Sequence, residues 1–136
     1  MSRITNEQAA YLLCNAFEGG SNYWYMITDY TKPEVEATPL GANEYHPSYI
    51  SYPFSKGGAV HIVDMEEAYG VDPEDYEAEG IEVLVLNHAA IVRGKKLMEE
   101  KENVKHHFAD VLKDNADATT GDVFLQLCLF GDVIYG

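Results

Sequence analysis

GDVFLQLCLF, residues 121–130, is apolar on nearly every side of a helical wheel. A surface helix shows one apolar stripe; a helix that is hydrophobic all round is a buried one. Asp117 or Thr119 stands where a cap belongs, so the stretch reads as a last helix through residues 120–130. Such a helix needs other elements around it, and the expectation is that it fills the centre of the core, against a sheet.

Working outward, residues 5–18 carry Ala9, Leu12, Leu13, Ala16 and Phe17 at helical spacing. Thr5 and Gln8 stand at capping-box separation before them. Gly19 and Gly20 stop that helix. GGSNYWY (19–25) follows. Its glycines come after a helix, without the spacing or the lysine of a phosphate loop, so it reads as a helix-to-strand turn. Tyr23–Thr28 is rich in aromatic and β-branched residues and reads as the first strand, with Trp24 on one face and Tyr23 and Tyr25 on the other. Ala59–Asp64 and Ile81–Leu86 read as the second and third strands. Asn87 can cap a helix through HAAIVRGKKLMEEK, and Val104, Phe108, Val111 and Leu112 mark a shorter one. The fold class is α+β: one domain over residues 1–136, with a small, mostly antiparallel sheet of about three strands packed by about four helices.

Residues 29–57 break this regularity. Pro33, Pro39, Pro47, Pro53 and Gly41 predict a long irregular stretch bearing Tyr45, His46, Tyr49 and Tyr52. Loops of that length are often functional.

Charge is the strongest global feature. Asp and Glu number 23 against 9 Lys and Arg, a net charge of −14. Such a chain is repelled by nucleic acid and anionic membrane and is attracted to basic surfaces. Nine acids and no base fall between residues 64 and 82. A charge run of this kind is commonly just a solvated face. Its functional reading is a docking face for a basic partner, built from Glu66, Glu67, Asp72, Glu74, Asp75, Glu77 and Glu79, with Tyr45, Tyr49 and Tyr52 as aromatic anchors. Arg93, Lys95, Lys96, Lys101 and Lys105 form the basic cluster. They read as an exposed helix laced with ion pairs, as a contact to the acidic belt of a second copy, or as a grip for the phosphates of a nucleotide.

Catalytic and metal chemistry find little support. Cys14 and Cys128 lie among leucines and read as reduced, inert core thiols. No G-x-S-x-G elbow occurs. The five histidines show no H-x-x-x-H, and DPEDYE departs from the calcium-loop pattern. No cofactor and no metal are expected, and the residues disfavour an enzymatic activity without closing the question. No apolar run approaches the length of a membrane span, and the first residues lack the pattern of a secretory signal, so a cytoplasmic location is expected.

Two segments carry a resemblance. LLCNAFEGGSNYWY (12–25) and DATTGDVFLQLCLFGDVIYG (117–136) resemble the opening and the close of small uncharacterised proteins of bacteriophages and prophages; together they span about a quarter of the chain. The resemblance implies a viral origin and a place in the cytoplasm of an infected bacterium. With the charge, it leads to the expectation of an acidic accessory protein that binds and inhibits a host protein with a basic surface, such as a defence complex in the manner of an anti-CRISPR. A nucleotide-binding sponge or hydrolase is the alternative from a different class, and a virion or replication accessory domain is a third.

Overall fold

The computed structural model describes residues 2–136. Six α-helices and three strands follow one another as α1 (Asn6–Asn15), β1 (Tyr25–Thr31), α2 (Ser48–Phe54), β2 (Ala59–Asp64), α3 (Met65–Ala68), β3 (Leu84–Leu86), α4 (His88–Glu100), α5 (Lys105–Leu112) and α6 (Ala118–Phe130). The strands form one antiparallel sheet in the order β1-β2-β3. The α+β class and the antiparallel sheet are as the sequence predicts. Six helices stand where the sequence predicts about four. The additions are α3, a single turn, and α2, which forms inside the proline-rich stretch.

Helix α2 tolerates Pro53 because it is short and because Ser55 makes good the disturbed end. The Ser55 hydroxyl donates to the Ser51 carbonyl at 2.6 Å and accepts the Ala37 N–H at 2.8 Å. One buried side chain thereby ties the helix to the preceding loop. Residues 32–47 remain irregular.

Helix α6 is buried from Thr120 to Leu129. Asp117 caps it, accepting the Thr120 N–H at 2.9 Å. It packs between α1 and α4 and reaches the sheet at β3, so its neighbours are chiefly helices rather than the expected sheet. Two glycines allow this. A Cβ on Gly121 would stand 2.5 Å from the Leu12 carbonyl oxygen of α1, and one on Gly94 would stand 2.2 Å from the Cys128 sulfur. Gly121 thus lets α6 meet the α1 backbone, and Gly94 lets α4 meet the Cys128 side chain, closer than any larger residue permits. The C-terminus of α6 is closed by Gly131 in the left-handed conformation (φ 76°). Arg93 of α4 completes it, donating to the carbonyls of Cys128 and Leu129. These groups are the orphan acceptors every helix end carries.

The sheet has two differently covered faces. Val60, Ile62, Leu84 and Leu86 point into the main core with α1, α2, α4 and α6. Val63 points the other way and meets a second small cluster with Ala68, Tyr76 and Ile81. That alternation follows from the period-2 geometry of a strand. It decides where the acidic segment lies.

Candidate docking face

GGSNYWY is the helix-to-strand turn that its sequence predicts. Its strand starts at Tyr25, two residues later than expected, because residues 21–24 form a turn in which the Trp24 N–H bonds the Ser21 carbonyl at 3.1 Å. Trp24 is the residue that packs inside. The turn aims three donors at one buried carboxylate, Asp122 of α6. Ser21 Oγ donates at 2.6 Å, Tyr23 Oη at 2.5 Å and Trp24 Nε1 at 2.8 Å. Gln126 Nε2, one helical turn on, adds a fourth at 3.1 Å. Burial, and then the hydrogen bond to Asp122, push the Tyr23 hydroxyl up to about 12. A carboxylate with four donors is satisfied and closed to substrate. Sequence reasoning missed this knot, although a signal existed: Asp122 and Gln126 are polar residues four apart in a helix otherwise built for burial.

Gln126 also organises the chain end. Its Oε1 accepts the N–H groups of Ile134 and Tyr135 at 2.8 and 2.9 Å. Tyr135 then stacks on Trp24, ring centroids 5.0 Å apart, and donates its hydroxyl to Asp64.

Asp64 begins the acidic segment. It ends β2 and caps α3, accepting from the N–H groups of Glu66 and Glu67 at 2.8 and 3.2 Å. Partial burial works to raise its pKa, but the Tyr135 hydroxyl and the two backbone donors outweigh it and hold the carboxyl below the usual range. Beyond Asp64 the segment crosses the outer face of the sheet on three pegs, Ala68, Tyr76 and Ile81, all set on Val63. Between the pegs Val71 leans on the same cluster, and the acids point outward. Glu66, Glu67, Asp72, Glu74, Asp75, Glu77 and Glu79 are all exposed, as is Glu82. None of them is in an ion pair among the described residues; the ion pairs there are Lys101–Asp132 at 3.6 Å and Lys105–Glu102 at 3.9 Å. Carboxylate oxygens of Asp72, Glu74 and Asp75 come within 4.8 Å of one another, an ordinary property of a dense acidic surface.

The proposed tyrosine anchors do not join this face. Tyr52 is buried in the main core, edge-on to Tyr30 at 5.8 Å, which removes it as an anchor. Tyr49 leans on Phe17 at 5.2 Å, on the core side of the sheet. Tyr45 is open, at 83 % exposure, in the irregular loop. The aromatic side chain that the acidic segment itself presents is Tyr69, 87 % exposed.

The basic cluster is mostly engaged. Arg93 holds the end of α6, Lys95 Nζ donates to Asn6 Oδ1 at 2.5 Å, and Lys101 and Lys105 form the two ion pairs. Lys96 and Glu100, four apart on α4, form no ion pair among the described residues. Instead Lys96 lines a shallow cleft with Glu99 and Glu100. A different pair of lysines, Lys32 and Lys56, lines an open cleft of about 420 Å³ with Glu34 and Val35.

Both cysteines are free. Burial raises Cys14 to about 11, with Glu18 adding to the shift, and burial raises Cys128 further still. Neither is an activated nucleophile. No helix is long and apolar enough to cross a membrane among the described residues. No family model, curated protein or solved structure matches the chain.

Proposed function

We propose that this chain is an acidic accessory protein of viral origin that docks on a basic surface of a host protein and inhibits it. The observation that carries the docking is the outer face of residues 65–82. Its carboxylates point to solvent without ion-pair partners among the described residues, while three buried pegs fix the backbone beneath them. A charged surface held rigid loses little conformational entropy on binding. It also steers a basic partner at long range, with a rate that falls as salt rises. Viral origin and inhibition rest on the resemblance of residues 12–25 and 117–136 to phage proteins. A defence complex is the fitting class of target.

The test is a pull-down from bacterial lysate at low and high salt, read by mass spectrometry. One basic complex, enriched at low salt and reduced at high salt, is expected. Charge reversal across Asp72, Glu74, Asp75, Glu77 and Glu79 should abolish its capture, and undiminished capture by that variant would remove the acidic face from the reading.

The nucleotide reading has one observation in its favour, the cleft between Lys32 and Lys56. Calorimetry with linear and cyclic nucleotides decides it: binding that disappears in Lys32→Glu with Lys56→Glu would establish it, and silence across the panel would end it.

A further inference from the structure

We propose that the cleft between the start of the acidic segment and the chain end is a receptor for an arginine side chain of the basic partner. This rests on the docking reading and gives that surface its point of specificity. The cleft measures about 250 Å³, and Asp64, Glu67 and Glu82 stand around an apolar wall that includes Leu84, Ile134 and Tyr135.

Three features choose the occupant. The first is its amphipathic lining. Ile134 is 55 % exposed beside carboxylates, an arrangement that suits a side chain with an apolar stem and a charged head. The second is the division of labour among the acids. Asp64 is consumed by Tyr135 and by the N–H groups of Glu66 and Glu67. The side chains of Glu67 and Glu82 accept no hydrogen bond among the described residues, so the charge available to a ligand is theirs. The third is spacing. The described acids whose oxygens converge as a metal would require are Asp72, Glu74 and Asp75, not those of the cleft. A planar guanidinium with five donors can serve both free carboxylates while its stem lies on the apolar wall, which suits this lining better than a point charge does. The wall is also built in advance. Gln126, fully buried, clamps the backbone of Ile134 and Tyr135.

The molecule contains its own reporter. Trp24 is its single tryptophan and stacks on Tyr135 at 5.0 Å, 18° from parallel. Occupancy of the cleft is therefore readable in Trp24 emission. The experiment titrates the full chain with a tryptophan-free Gly-Ser peptide carrying one central arginine, and with the same peptide carrying lysine or the neutral isostere citrulline. A saturable emission change is expected with arginine, weaker binding with lysine and none with citrulline. Glu67→Gln with Glu82→Gln should weaken the arginine peptide about 10-fold or more, whereas the charge-matched Glu74→Gln with Glu77→Gln should weaken it less than about 3-fold. All four carboxylates are exposed, so the variants should melt like the parent. Equal weakening by both pairs, or no preference for arginine over citrulline, would overturn the cleft while leaving the docking face to its pull-down. An arginine response in a chain that captures no partner would keep the cleft and remove the docking reading.

Discussion

Asp122 and the acids of residues 65–82 are the same chemistry put to opposite uses. Asp122 is nearly closed to water and receives four donors. Glu66 to Glu79 stand in water without ion-pair partners among the described residues. The first carboxylate ties α6 to the turn before β1, and Gln126 beside it ties in the chain end. The others contribute next to nothing to that body and remain free to meet something else. Burial converts a charge into architecture; exposure leaves it available for recognition.

Breaking the buried member should have the largest effect. Asp122→Ala strands the hydroxyl of Ser21 and the indole N–H of Trp24, and should cost about 2–4 kcal/mol in urea unfolding. A loss below about 1 kcal/mol would mean that the donors find other partners, and the contrast between the two regions would fail. Next comes the packing that buries α6. Gly121→Ala drives a methyl into the α1 backbone, and Gly94→Ala drives one into Cys128; each should cost about 1–3 kcal/mol, with Gly121 the worse because backbone cannot step aside.

The Tyr135–Asp64 link joins the two regions. Tyr135→Phe should cost about 1 kcal/mol and relax the Asp64 carboxyl toward its ordinary value. Asp64 and Asp117 both have depressed folded pKa values. For Asp64, burial opposes the shift but its three donors prevail; for Asp117, the N–H and hydroxyl of Thr120 lead. Their contribution is therefore present at neutral pH, above the unfolded values, and is lost as pH falls through the folded ones. Acid titration of stability should show this decline, and Tyr135→Phe should flatten it. At the alkaline end the sign reverses: the raised hydroxyl of Tyr23 contributes below its unfolded pKa, and that contribution is lost as pH rises toward about 12.

The smallest effect on stability sharpens the comparison from the other side. Neutralising Asp72, Glu74, Asp75, Glu77 and Glu79 as amides should move the unfolding free energy by no more than about 0.5 kcal/mol, because no described contact is lost. The same variant should lose its salt-sensitive partner. A large destabilisation would assign those acids to the fold instead.

What was legible in the sequence follows physical range. Local signals held: the Thr5–Gln8 capping box forms, Asn87 and Asp117 cap their helices, and Ala59–Asp64 is a strand to the residue. All-round apolarity correctly marked α6 as buried. Helices α2 and α3 and the true extent of β3 escaped. Helix α2 depends on Ser55 reaching Ser51 and Ala37, a contact that proline counting hides. The third strand is trimmed to Leu84–Leu86 because Ile81 is spent as a peg on Val63. At the candidate face, the acids were readable because a charge run has nowhere to go but outward. The tyrosines were not, since an aromatic residue serves a core and a surface equally well; Tyr52 went in, and Tyr69 came out. The cleft at Glu67 and Glu82 joins residues distant in the chain, and only the tertiary fold assembles it.

The contact of Gly94 with Cys128 has a kinetic use. A thiol sealed between two helices reacts with a bulky sulfhydryl reagent only when those helices part, whereas Cys14 is half-open on α1. The slow phase of labelling then times the opening of the central helix pair, through a thiol the chain already carries. Adding a captured partner to the same reaction would show whether binding at the acidic face is felt in the core.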